Sequence, residues 1–184
     1  TAFKTLNDAL TNSELKEGNT IMIASGTYTG TNNTGLTINK NNLNFIKYGD
    51  GEAIFDAEKL RHIWTLGNEI DCININGLTF QNSNGNALFS SQGFYDSKIN
   101  ATFINITGSG IRTINNAVRD NITGTFVNIS DYAIDASNSG KLNISGTFIN
   151  ITKQVFYMNR VSSDINIIHD SFFINCTSFM NSES

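Results

Sequence analysis

The feature that most limits what this chain can become is a phrase it repeats. "TFQNSNG" begins at Thr79, "TFINITG" at Thr102, "TFVNISD" at Thr125, "TFINITK" at Thr147 and "FFINCTS" at Phe172. Registered on Phe80, Phe103, Phe126, Phe148 and Phe173, the copies follow one another at 23, 23, 22 and 25 residues. A fixed period in the range of about 20–50 residues marks a solenoid or array. A period this short, made of β-type segments with no helix-length pattern between them, points to a parallel β-helix with three short strands per coil.

The columns of that register supply the physics. Asn follows each Phe by two positions, at Asn82, Asn105, Asn128, Asn150 and Asn175. Coils stack about 4.8 Å apart, so like residues lie above one another and an Asn amide can bond the Asn of the next coil. This predicts an interior asparagine ladder beside a stacked Phe column. Strict alternation would put Phe103 and Asn105 on one face, so an αL bend at the Asn is needed to turn both Phe103 and Ile106 inward. Ile104, Val127, Ile149 and Ile174 then form an outward β-branched stripe, either ordinary strand surface or a contact patch. Small residues Ala101, Gly124, Gly146 and Ser171 stand two before Phe, where a further bend fits.

Composition agrees with short strands and tight corners: 28 Asn, 24 Ile, 19 Thr and no Pro in 184 residues. The chain reads as a single domain over 1–184, divided into a helical cap (1–19), early irregular coils (20–70) and regular coils (71–184). Phe3, Leu6, Ala9 and Leu10 have near-helical spacing, with Thr1 as a possible cap, and a helix there would cover the open end of the solenoid. The chain starts at Thr1 without a leader, which reads as a piece of a longer protein.

The net charge of −4 comes from interspersed residues. No basic run exists to track nucleic acid, and no apolar run reaches the roughly 18–20 residues that span a bilayer. Cys72 and Cys176 stand several coils apart in this register, beyond disulfide reach, and read as buried free thiols. His62 and His169 lack neighbours at zinc-ligand spacing, so neither a metal nor another cofactor is expected.

"FKTLNDAL…EGNTIMIASGTYTGTNNTGLTINKNNLNFIKYGDGEAIFDA" resembles the N-terminal block of right-handed β-helix proteins of the pectate-lyase-like superfamily, with Ser25 where Pro is frequent. Together with the Asn-rich "TFINIT" coils, the chain is similar to β-helical repeats of archaeal adhesin-like surface proteins of methanogens. The resemblance implies an all-β, single-stranded right-handed parallel β-helix of about 22–23 residues per coil with a short N-terminal capping α-helix. It also implies an extracellular, cell-surface location and attachment to glycans or proteins of other cells, with adjacent domains of the same chain as further partners. A structural stalk and a polysaccharide lyase or glycoside hydrolase are the alternatives.

Hydrolysis would need two carboxylates flanking one site, and lyase action a base beside acidic ligands. In the Phe register the acidic residues fall at unlike offsets, and Asp96 with Arg119 and Lys141 reads as a solvated charge ladder. No catalytic residue is therefore expected. The candidate ligand-binding residues are Arg61, His62 and Trp64, where Trp64 is either core or an exposed platform for a sugar, and Tyr95. Tyr95, Tyr132 and Tyr157 follow their motifs at differing offsets, which argues against a regular aromatic platform. Asn-x-Ser/Thr occurs eight times. Four of these fall on the ladder, leaving Asn32, Asn100, Asn121 and Asn143 as glycosylation candidates.

Overall fold

The computed structural model describes residues 1–67, 70–114, 119–137, 141–158 and 167–181. The long strands β1 (Thr20–Tyr28), β3 (Asn44–Asp56), β6 (Asn74–Ser83), β9 (Lys98–Ile106), β11 (Asp120–Ile129), β13 (Leu142–Ile151) and β15 (Ile167–Ile174) stack in that order in one sheet. The short strands β2 (Leu36–Ile38), β4 (Trp64–Leu66), β7 (Leu88–Ser90), β10 (Ile111–Thr113), β12 (Ile134–Ala136), β14 (Gln154–Tyr157) and β16 (Ser178–Asn181) form a second sheet in the same sequence. A third, two-stranded sheet joins β5 (Ile70–Asp71) to β8 (Phe94–Tyr95). Long and short strands alternate along the chain and each pairs in parallel with its counterpart one coil away, as in β9, β11 and β13. The fold is the parallel β-solenoid expected from the period.

The Phe column is its core. Phe80, Phe103, Phe126 and Phe148 are fully buried, and neighbouring rings stack with centroids 5.5, 4.6 and 5.1 Å apart. The column extends further back than the motif, through Phe55 to Tyr28, whose rings stack at 5.0 Å. Ile106, Ile129 and Ile151 are also buried, as the αL bend requires. That bend is present in every copy, with φ of 53°, 56°, 56°, 55° and 52° at Asn82, Asn105, Asn128, Asn150 and Asn175. Ala101, Gly124, Gly146 and Ser171 line up in register. A Cβ at Gly124 would run into the carbonyl oxygen of Ala101.

The ladder exists, and it is on the outside. Asn105 donates to Asn82 at 3.2 Å, Asn128 to Asn105 at 3.0 Å, Asn150 to Asn128 at 2.8 Å and Asn175 to Asn150 at 2.8 Å. The interior position expected from the sequence is corrected: Asn105, Asn128, Asn150 and Asn175 are exposed and Asn82 is half-buried. The αL corner turns the side chain outward, so each amide faces both the next rung and water. Every donor points toward the N-terminal end, where Asn82 donates to the Asp56 carboxylate at 3.0 Å. A carboxylate is an acceptor only, so it suits the end of a chain of aligned donors.

Replacing Asn128 by Ala removes two rungs and leaves a Cβ-bearing residue without a polar side chain in αL geometry. The expected loss is roughly 1–3 kcal/mol in chemical denaturation. Asn128→Gly keeps the bend but not the rungs, and should lose clearly less. Equal losses would place the whole cost in the rungs.

The N-terminal cap is shorter than its segment. The helix α1 spans Leu6–Thr11, and its N-cap is Thr5 rather than Thr1, because Thr5 and Asp8 close a reciprocal capping box. Leu6 and Ala9 are buried, whereas Phe3 is exposed. Asn33 fastens the cap to the coils: its side-chain oxygen accepts from the Leu6 amide at 2.9 Å and its carbonyl from the Trp64 indole at 3.3 Å. No helix of the described residues is long and apolar enough to cross a membrane.

Candidate binding surface

The second sheet alternates in and out with period two. Leu88, Ile111 and Ile134 point into the core, so the residues after them, Phe89, Arg112 and Asp135, form an outward row that continues in register to Tyr157. Arg112 Nε lies 3.1 Å from Asp135 Oδ2, and the Ser137 hydroxyl donates to Asp135 Oδ1 at 3.2 Å. The turn before β12 brings Asp131 and Tyr132 to the same place, and the turn before β14 brings Lys153. Lys153 Nζ is 2.6 Å from Asp131 Oδ1 and 5.0 Å from the centre of the Tyr132 ring. The rings of Tyr132 and Tyr157 lie 5.0 Å apart at 30°.

Two tyrosines therefore do share a platform, contrary to the expectation from their offsets. Counting from Phe compares only residues at equal positions, while aromatic side chains on neighbouring coils also meet diagonally. The electrostatics of the patch are balanced, with two cations and two carboxylates. Burial raises the Asp135 carboxyl above its ordinary pKa, and Arg112 and Ser137 partly offset that rise. The hydrogen bond to Asp131 holds the Lys153 ammonium above its ordinary value, and burial raises the Tyr132 phenol. Paired charges and half-buried rings together offer planar hydrogen-bonding groups beside apolar faces, the combination that binds a polar ligand with a hydrophobic side.

The residues proposed from sequence are distributed differently. Trp64 is fully buried, packed at 5.0, 4.8 and 4.9 Å against Phe45, Phe55 and Phe80. Of its two readings the core one holds, and it presents no face to a sugar. Arg61 is half-buried and donates to the Thr34 hydroxyl at 3.2 Å, bracing the turn that carries Asn33. His62 is exposed. Tyr95 belongs to the two-stranded sheet, where it pairs with Asp71. The four do not converge on one site.

Three aspartates of successive coils, Asp71, Asp96 and Asp120, are close enough to perturb one another electrostatically, although their offsets from Phe differ. Asp96 is held below the ordinary carboxylate range by Arg119, which donates two hydrogen bonds to it at 2.7 Å each. Asp120 is the opposite case. It is 1% exposed, accepts the Ser97 amide at 2.7 Å, and its Oδ2 has no hydrogen-bond partner among the described residues. Burial pushes its pKa up to about 8. A carboxyl so enclosed presents nothing to a substrate in solution. Among the described residues no group of three or more His, Cys, Asp or Glu is arranged to hold a metal ion. Both cysteines are free, with Cys72 exposed rather than buried and Cys176 half-buried.

The glycosylation candidates separate on where their amide nitrogens point. Asn100 donates to Asn76 at 3.0 Å and Asn143 to Asn121 at 3.0 Å, forming outer rungs of their own. A glycan on either nitrogen would replace one of its hydrogens between coils about 4.8 Å apart. Asn32 and Asn121 donate none of these bonds. No protein-family model matches the chain, and no curated protein matches it.

Proposed function

We propose that this domain is a non-catalytic attachment segment of a cell-surface, adhesin-like protein, meeting glycans or proteins of other cells. The observation that supports the reading is the outward patch of Arg112, Asp131, Tyr132, Asp135, Lys153 and Tyr157. Its side chains project from a sheet whose other face is locked into a stacked core, so little ordering is left to do on binding. The similarity of the "TFINIT" coils to methanogen adhesin-like repeats points the same way, and under this reading the chain works outside the cell.

The test is binding of the purified domain to glycan arrays and to whole cells. Tyr132→Ala with Tyr157→Ala should reduce binding at least tenfold, about 1.4 kcal/mol, with the fold retained by circular dichroism. A domain that binds neither glycans nor cells would end the attachment reading. The uniform columns support a second reading, a stalk that sets another domain away from the surface. Adhesion that survives deletion of one whole coil would favour the stalk. Release of oligosaccharides from pectin or a similar polymer would replace both with a polysaccharide-degrading activity.

A further inference from the structure

The repeated phrase has an outward half that the core does not use. Thr79, Thr102, Thr125 and Thr147 stand opposite one another in unbroken register, and beside them runs the row of Gln81, Ile104, Val127 and Ile149. The Asn ladder forms a third row along the corner. Rows repeat about every 4.8 Å along the solenoid, and the Thr and Val rows are two residues apart, roughly 6.6 Å. The face is thus a two-dimensional lattice of hydroxyls, methyls and amides.

Three properties narrow what it fits. None of the side chains in these rows over residues 79–82, 102–105, 125–128 and 147–150 that faces outward is charged. The Thr, Ile and Val side chains are β-branched and stiff at χ1, and the Asn side chains are tied to one another. Thr102, Thr125, Thr147, Ile104, Val127 and Ile149 are all half-exposed, so their outer atoms form the surface itself.

We propose that this face binds the ordered surface of a crystalline, uncharged polysaccharide of the cellulose or chitin type. Such a solid presents parallel extended chains whose hydroxyls and ring faces recur at an interval close to the coil rise. A rigid lattice gains one contact per coil against a rigid lattice without ordering either partner. A soluble chain would have to be ordered first, and an acidic polymer would find no counter-charge among these rows. The surface lies on the long-strand sheet, separate from the tyrosine patch on the short-strand sheet.

The experiment is co-sedimentation of the whole chain with microcrystalline cellulose, crystalline chitin, the amorphous form of each, and ice, alongside gel-retardation in soluble polygalacturonate. Adsorption to a crystalline polysaccharide should exceed that to its amorphous form by about tenfold or more. Thr102→Lys with Thr125→Lys should abolish the preference while leaving the thermal midpoint and the tyrosine-patch binding unchanged. The conservative pair Thr102→Ser with Thr125→Ser, which keeps the hydroxyls, should retain most of it. Three results would overturn the proposal: no adsorption to either crystalline solid, stronger binding to ice or polygalacturonate, or adsorption lost in the tyrosine variants but kept in the lysine ones. Loss of glycan-array or cell binding alone would count against the attachment reading and leave this face untouched.

Discussion

Phe126→Ala is expected to destabilise the domain by roughly 3–5 kcal/mol, the range for removing a fully buried aromatic ring. Phe126 sits in mid-column, with the ring of Phe103 at 4.6 Å on one side and that of Phe148 at 5.1 Å on the other. The cavity would be lined by two stacked rings that belong to rigid, paired strands, so collapse around it is limited. The loss would also interrupt a quasi-one-dimensional stack, in which each coil touches only its neighbours. Urea unfolding should therefore show either a large drop in midpoint or a transition that splits in two. Phe126→Leu, which refills most of the volume, should recover the greater part. A loss below about 1 kcal/mol for the alanine variant would mean the ring is not packed as described.

Asp120→Asn should have the opposite sign. The folded-state pKa of about 8 lies far above the ordinary carboxylate value, so the folded chain holds a proton that the unfolded chain has released. Stability is then complete below about pH 4, declines as pH rises toward 8, and is flat beyond. At pH 7 the gap of about three units corresponds to a cost on the order of 3–4 kcal/mol. An asparagine keeps the acceptor for the Ser97 amide and never ionises, so the variant should gain most of that cost at pH 7 and almost none at pH 4. Thermal unfolding of both proteins across this range checks it. Parallel pH profiles for the two would show that Asp120 is not the group responsible. Asp71, Asp96 and Arg119 face the same corner, and because the variant leaves them in place, their contributions cancel in the difference.

The regular part of this fold was legible because one residue per coil does one job. Phe at a spacing of 22 to 25 residues can stack only if each copy closes a turn, and Asn two residues later supplies a φ that most residues avoid. The early coils hid the same plan. Tyr28 and Phe55 belong to the aromatic column, but an excursion between Ile46 and Ala53 stretches the spacing and conceals them. Asp56 heads the Asn ladder, and nothing in a pattern of asparagines announces an aspartate as its end. The solvent side of each corner was also beyond reach, since a ladder needs only registered partners and is equally consistent with interior or exterior. The binding patch was the least legible. Asp131 and Lys153 share an offset from Phe, but Tyr132 and Tyr157 meet across a diagonal that column counting does not see. Trp64 carried the opposite difficulty: the sequence shows an aromatic beside Arg61 and His62, and only packing against Phe45, Phe55 and Phe80 assigns it to the core.

The central claim is that each copy of the phrase closes one coil and that the copies are joined through their asparagine side chains along the axis. Side-chain amide hydrogen exchange, followed by NMR on the ¹⁵N-labelled chain, tests it most directly. The Nδ2 protons of Asn105, Asn128 and Asn150, each exposed yet donated to the preceding rung, should exchange distinctly more slowly than those of Asn32, which donates to no rung. Asn128→Gly should speed exchange at Asn150, whose acceptor it removes. Exchange at the ladder positions as fast as at Asn32, and unchanged at Asn150 in the variant, would contradict the account.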